Sequence, residues 1–214
     1  SIRSSCEQLA RGKHASEDDQ VLAGLIVRES DRLSRLLSEF LDFARVRASR
    51  HEAVDLLDVA RAAVRMVQAH PDCGPQADVR VEGEEAVLDG DEDLLHRVVA
   101  NLVLNAVQAA RGQQVHVTVR VGGIPLAELP NGADFERAVR LQVEDDGPGI
   151  PDDIRERIFE PFVSGRPGGS GLGLAIVQRA VDVHRGLVYV DSKLRAGTTF
   201  TILLPANALG EEHT

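Results

Sequence analysis

Tryptophan is absent from this chain, and its 214 residues hold one tyrosine, one methionine and two cysteines. With 43% hydrophobic residues but only 3% aromatic ones, any sizeable core must be aliphatic, built from Leu, Val, Ile and Ala. Cys6 and Cys73 form neither a CxxC pair nor a disulfide framework, which points to a reducing, cytoplasmic compartment. No secretory leader pattern and no apolar run near the ~18 residues of a membrane helix are present, so no membrane contact is expected of these residues. Positive charge is in deficit: 24 Lys and Arg against 34 Asp and Glu leave a formal net charge of −10. That argues against nucleic acid and anionic membranes as partners, because basic patches supply affinity for both. The length allows one large domain or two modest ones.

Residues 1–11 read as the tail of a helix stopped by Gly12, and Ser16 with Asp19 has capping-box spacing. Leu22, Ile26, Leu33, Leu36, Phe40 and Phe43 then describe one apolar seam at steps of three, four and seven, with Ser30, Ser34 and Ser38 off it. Such a hairpin cannot bury its seam alone, and a four-helix bundle from two chains is the economical solution. The periodicity changes around Ser49 to Asp55, which sets two domains, 1–50 and 51–214. Beyond that boundary, Leu56 to Val67 predicts a helix and Val79 to Leu88 one or two strands. Asp91 opens a helix running to about Ala110, and Val115 to Val121 is a period-two strand. Arg140 to Glu144, Leu187 to Val190 and Thr198 to Leu204 complete one mixed sheet. Gly186 marks a helix stop, and the connection from Gly122 to Glu136 has no functional reading.

Two glycine-rich punctuations stand out. Asp146-Gly147-Pro148-Gly149 directly follows the alternating Val139, Leu141 and Val143. Gly169-Ser170-Gly171-Leu172-Gly173-Leu174 runs straight into a helical pattern. Upstream of both, the helix after Asp91 carries Asn101 and Asn105 one turn apart, hence on one face. A dinucleotide-binding turn is disfavoured for the second punctuation, because Arg166-Pro167-Gly168 before it cannot be a central strand.

At these residues the chain resembles the ATP-binding catalytic domain of sensor histidine kinases, within the superfamily of gyrase, mismatch-repair ATPases and heat-shock chaperones. Asn101 to Ala106 looks like the family's N box and Glu144 to Ile150 like its G1 box. Phe159-Glu160-Pro161-Phe162 looks like the F box and Gly169 to Leu174 like the G2 box. The resemblance spans roughly residues 55 to 206, and the helical pattern before it fits the family's dimerisation hairpin. It implies an α+β fold: a mixed sheet with helices on one face, a Bergerat (GHKL-type) α/β sandwich preceded by a helical hairpin. It also implies ATP and Mg2+ as cofactors, a homodimer through the hairpin and a response-regulator receiver domain as partner.

Each site residue carries a functional and a plain structural reading. Asn105 can give its side-chain oxygen to a magnesium ion, which also takes phosphate oxygens and waters, or it can be a hydrogen-bonded core amide. With both glycine motifs present, the magnesium reading is preferred. Asn101 stands where hydrolytic members of the superfamily carry a water-activating glutamate, and that departure points to a kinase rather than an ATPase. Gln108, one turn on, reaches a phosphate or is simply solvated. Asp146 can accept from the exocyclic amine of adenine, while Gly147 and Gly149 let the backbone turn tightly and Ile150 closes the box; an ordinary β-turn is the alternative. Asp145 is read as a solvated neighbour. Gly169, Gly171, Leu172, Gly173 and Leu174 open a helix whose backbone amides suit phosphate oxygens. Phe162 belongs to the base of a short lid, in which Arg166 either contacts the terminal phosphate or is a surface arginine.

None of the seven histidines, His14, His51, His70, His96, His116, His184 and His213, has the His-Glu-x-x-x-Pro neighbourhood of the family's phosphoacceptor. The acceptor is therefore expected upstream of Ser1, and these residues are expected not to label themselves. The expected function is magnesium-assisted phosphoryl transfer from ATP to that histidine and onward to a response-regulator aspartate. The rivals are an ATPase of the same superfamily and a non-catalytic ATP-sensing scaffold.

Overall fold

The computed structural model describes residues 17–45, 52–124, 129, 135, 137–166 and 169–206. The chain divides into two compact units, Ser1–Arg45 and Val46–Thr214. The helix expected over 1–11, its Gly12 stop and the Ser16 cap lie outside the described residues, as do the expected boundary at residue 50 and His14, His51 and His213.

In the first unit, α1 (Glu17–Arg45) is one continuous helix. Leu22, Ile26, Leu33 and Phe40 of the expected seam are exposed within the chain, and so are Val21, Leu25, Leu37 and Leu41 beside them. The apolar surface of α1 is thus wider than a single heptad stripe, the pattern of a helix that packs against more than one neighbour.

The second unit runs β1 (Glu52–Asp55), α2 (Leu56–Gln68), β2 (Ala77–Gly83), β3 (Val87–Gly90), α3 (Glu92–Ala109), β4 (Val115–Ile124), β5 (Ala138–Asp145), α4 (Asp152–Arg155), α5 (Gly173–Val183), β6 (Leu187–Ser192) and β7 (Thr198–Pro205). Five strands form the mixed sheet in the order β2-β4-β5-β7-β6. β2 and β4 are parallel, and the other neighbours are antiparallel. Val117, Val119, Val121, Leu141, Val143, Phe200 and Ile202 alternate along β4, β5 and β7 and are buried on the face that carries α2 and α3. The opposite face carries Thr118, Arg120, Gln142, Glu144 and Thr201. There Arg120 bridges Glu82 at 3.3 Å and Glu144 on the two flanking strands.

The expectation of a single sheet needs correction. β1 and β3 pair with each other in a separate antiparallel ribbon. Each has four residues, too few for a period of two to show in the sequence. The ribbon sets the start of α2: Asp55 caps it, accepting from Leu57 N at 3.0 Å and from Ala86 N at 3.1 Å. Asp91 caps α3 by accepting from Leu94 N at 3.1 Å, as its position before the apolar run leads one to expect.

None of the largest fully buried side chains is aromatic; they include Leu56, Leu88, Leu95, Leu102, Leu141, Leu172, Ile202 and Leu204. At about 1.5–3 kcal/mol for each such side chain, aliphatic packing suffices without tryptophan. Leu203 lies on the polar face by register, opposite Arg140 and Leu187, yet it is buried. Leu129 and Phe135, from the 122–136 connection, pack over it with Ile124, Ala138 and Leu187. That gives part of the connection a structural role.

Candidate functional site

On α3, Asn101, Asn105 and Gln108 continue, at steps of three and four, the stripe that begins with the buried Leu94 and Val98, and all three are half-buried. The tip of the second glycine segment lies against them. A methyl group built on Gly173 would stand 3.0 Å from Asn101 Oδ1 and 4.0 Å from Asn105 Nδ2. Gly171 takes φ +70°, and any side chain there would run into the Phe162–Val163 backbone at 2.5 Å. Leu172 is fully buried and anchors the start of α5, where no side chain caps the helix. The first-turn amides of α5 therefore open beside the two asparagines, as an anion site requires. Leu174 is half-buried on the first turn, and Gly169 is exposed, donating to Arg166 O at 3.2 Å.

Arg166 closes this end. Its Nη2 donates to Asn105 Oδ1 at 2.7 Å and its Nη1 to Gln108 Oε1 at 2.8 Å. Burial holds the guanidinium below its ordinary pKa, with the Asp72 charge opposing and the Arg111 charge reinforcing. Gln108 in turn donates from Nε2 to Asp72 Oδ2 at 2.7 Å, so its amide is held on both sides. Asn101 donates from Nδ2 to Arg97 O at 2.9 Å, leaving its oxygen toward Gly173. Among the described residues no group of three or more His, Cys, Asp or Glu could hold a metal. The donor set is one amide oxygen, Asn105 Oδ1, beside a phosphate-type cradle. It fits a hard cation that arrives with phosphate oxygens and waters.

At the other end, the two aspartates have exchanged their expected environments. β5 pairs Asp145 with Val117 and Thr198, on the helix side of the sheet. The Asp145 carboxyl is half-buried and accepts from Gly147 N at 2.9 Å. Burial is the main cause that raises its pKa, while the Gly147 and Thr198 amides oppose the rise and the Asp146 charge adds to it. Asp146 points to the polar face instead. It accepts from His116 N at 2.7 Å and lies 2.7 Å from His116 Nδ1, with both side chains about half exposed (56% and 53%). Partial burial pushes the Asp146 carboxyl up, but the bonds and charge of His116 outweigh it, and the net direction is down. The expected adenine acceptor thus faces away from the helices, and the expected solvated neighbour faces them. Counting the alternation from Val139, Leu141 and Val143 two residues further would have found Asp145.

The first glycine turn is fixed by backbone approach to the β6–β7 hairpin. Gly149 takes φ +73°, and a methyl there would stand 2.3 Å from Lys193 O. Gly197 takes φ +94°, with a methyl 2.0 Å from Asp145 O. Ile150 N donates to Ser192 Oγ at 2.8 Å and Arg195 N to Pro148 O at 2.7 Å. Phe159 meets the core residue Phe200 edge-on at 6.4 Å. Phe162 does not share that role: it is 64% exposed at φ +68°.

Asp72 lies in the connection after α2 and bears no motif that would mark it. His184 was also unread as a site residue. It is buried, accepts from Asp91 N at 2.9 Å through Nε2 and places Nδ1 2.7 Å from Ala180 O, joining the end of α5 to the start of α3.

Residues 90–208 match the family described as histidine kinase-, DNA gyrase B-, and HSP90-like ATPase. The signal transduction histidine-protein kinase AtoS of Escherichia coli K12 is 30% identical over 96% of this chain and 32% of its own length. The sensory histidine kinase/phosphatase NtrB of Rhodobacter capsulatus is 38% identical over 89% of this chain and 54% of its own. This chain thus spans about a third of the first relative's length and about half of the second's. Among solved structures, a mycobacterial sensor histidine kinase, MprB, is 31% identical with a TM-score of 0.58, covering 72% of this chain and 97% of that one. Full-length ShkA in complex with AMPPNP is 26% identical with a TM-score of 0.69, covering 98% of this chain and 43% of that one. Among the described residues no helix is long and apolar enough to cross a membrane. With the asparagine-bearing helix, both glycine turns and the mixed sheet in place, the chain belongs to the histidine kinase-, DNA gyrase B- and HSP90-like ATPases and, within them, to the sensor histidine kinases.

Proposed function

We propose that residues 52–206 bind ATP with magnesium and act as the catalytic part of a two-component histidine kinase. The observation that carries this reading is the α3 face of Asn101, Asn105 and Gln108, set against the open start of α5 with a desolvated carboxyl, Asp145, at the far end. Asp145 takes the role first assigned to Asp146. Its carboxylate accepts from the 6-amino group of adenine, a position at which guanine carries a second acceptor. Gly149, by letting the turn close on Lys193, holds Asp145 and Gly147 where the base would lie, and the α5 amides with Gly171 and Gly173 hold phosphate oxygens. Asn105 would hold magnesium through Oδ1, and when bound the ion would neutralise charge developing on the phosphates.

Arg166, released from Asn105, reaches the terminal phosphate. Asn101 offers no carboxylate to activate water, so the site favours transfer over hydrolysis. A histidine nitrogen attacks the γ-phosphorus, the bond to the β–γ bridging oxygen breaks, and ADP leaves with that electron pair. A response-regulator aspartate then takes the phosphoryl group. His184 is no acceptor, because both of its ring nitrogens are engaged inside the fold. The broad apolar face of α1 supports a homodimer, since a second copy brings an equivalent face to cover it.

Calorimetric titration tests the site reading. The chain should bind ATP with magnesium and take GTP at least tenfold more weakly, the size of ~1.4 kcal/mol. Equal affinities for the two nucleotides would overturn the role of Asp145.

A further inference from the structure

Three polar side chains from separate parts of the second unit meet in one line: Asp72, Gln108 on α3 and Arg166 before the second glycine segment. Their order fixes the chemistry. A carboxylate only accepts, so the amide of Gln108 must turn its NH2 toward Asp72, at 2.7 Å, and present Oε1 to Arg166. With that oxygen held, the planar guanidinium spans Gln108 Oε1 and Asn105 Oδ1 through its two terminal nitrogens at 2.8 and 2.7 Å. The second of these oxygens is the one offered to a divalent cation. Two positive charges cannot share it, so the cation and the guanidinium are alternatives at Asn105.

We propose that Asp72 is a positioning residue for the metal half of the site: through Gln108 it holds Arg166 on Asn105 Oδ1, and so sets how readily a divalent cation takes that oxygen. This rests on the reading of Asn105 as the cation ligand. Asp72 itself touches neither nucleotide nor metal. Its carboxylate also gives the half-buried guanidinium an opposite charge in its resting position, and that stabilisation is lost when Arg166 moves away. The arrangement is a latch whose far end can be removed without touching any residue assigned to the nucleotide.

The test is a calorimetric comparison of ADP binding with and without magnesium, for the wild-type chain, Asp72→Ala and Asp72→Asn. The readout is the ratio of the two affinities. Asp72 is half exposed, so the alanine variant should fold. Its ratio should rise about threefold to tenfold above wild type, the size of one partly screened charge-assisted hydrogen bond. Metal-free ADP binding should stay unchanged. Asparagine keeps an acceptor for Gln108 but loses the charge, so its ratio should fall between the other two. Gln108→Leu should raise the ratio similarly, and adding Asp72→Ala to it should change nothing further, because the two act through one path. An unchanged or lowered ratio in Asp72→Ala, with metal-free ADP still bound, would overturn the latch alone. Failure of the wild-type chain to bind ADP at all would overturn the nucleotide site on which the latch depends.

Discussion

The two ends of the site are built by different means. At the first glycine turn, main chain meets main chain: Gly149 and Gly197 approach Lys193 and Asp145 so closely that a methyl on either would overlap a carbonyl oxygen. At Arg166, the contacts are tips of flexible polar side chains, each of which can swing to another partner. A backbone contact at van der Waals distance has no alternative arrangement of similar energy, whereas a hydrogen bond between side chains can be exchanged for one to phosphate or water. The Asp145 end is therefore a fixed mould, and the Arg166 end is exchangeable. On the proposed reading, that division suits a site whose base is common to ATP and ADP while its phosphate end changes with transfer.

The largest effect should come from breaking the mould. Gly197→Ala combines a left-handed backbone with a methyl 2.0 Å from Asp145 O. It should cost about 2–3 kcal/mol, lowering Tm by roughly 5–10 °C and abolishing ATP binding. A wild-type Tm by scanning calorimetry would show that the hairpin and the first turn are not locked together.

Next comes the half-buried carboxyl of the mould, Asp145. Asp145→Ala should weaken ATP at least tenfold, from ~1–3 kcal/mol for a lost buried partner, while Asp146→Ala stays within about twofold. The reverse ranking would restore Asp146 as the base-reading residue.

A smaller effect concerns pH. Burial raises the Asp145 pKa in the folded chain. A raised carboxyl contributes stability below its unfolded-state pKa and loses that contribution as pH rises through the folded value. Free of nucleotide, Asp145→Asn should therefore melt above wild type at neutral pH, and the gap should close as pH falls toward about 4. A gap that is constant across this window would mean that the carboxyl is not desolvated.

The smallest effect is expected at Phe162, exposed at φ +68° beside the exchangeable end. Glycine accepts this backbone without strain, so Phe162→Gly should hold or raise stability by a few tenths of a kcal/mol and leave ATP affinity within about twofold. A large loss of affinity would return Phe162 to the nucleotide site and make the lid base less exchangeable than its geometry suggests.

Much of this could be read from local pattern. β4, β5 and β7 follow from alternation, α3 from its Asp91 cap and 3.6-residue repeat, and both glycine turns from their residues. These are properties of a few adjacent residues: a strand's period, a helix's orphan amides, a glycine's access to positive φ. The β1–β3 ribbon was missed because four residues hold too little of a period. Asp145 was legible in principle, since parity along β5 assigns it to the buried side, but the match of Asp146 to the motif drew attention one residue too far.

The sequence by itself determined the aliphatic core, the family and the helices and strands that carry its asparagines and glycines, because backbone preference and hydrophobic period act locally. Only the tertiary structure decided which aspartate is desolvated, and that Asp72, Gln108, Arg166 and Asn105 form one line. Gln108 and Asp72 are 36 residues apart in the chain, and Arg166 and Asn105 are 61 apart. No local preference encodes such a meeting. It arises because α3, packed by its apolar side against the sheet, has only one face left to offer, and the second glycine segment and the loop after α2 both end there.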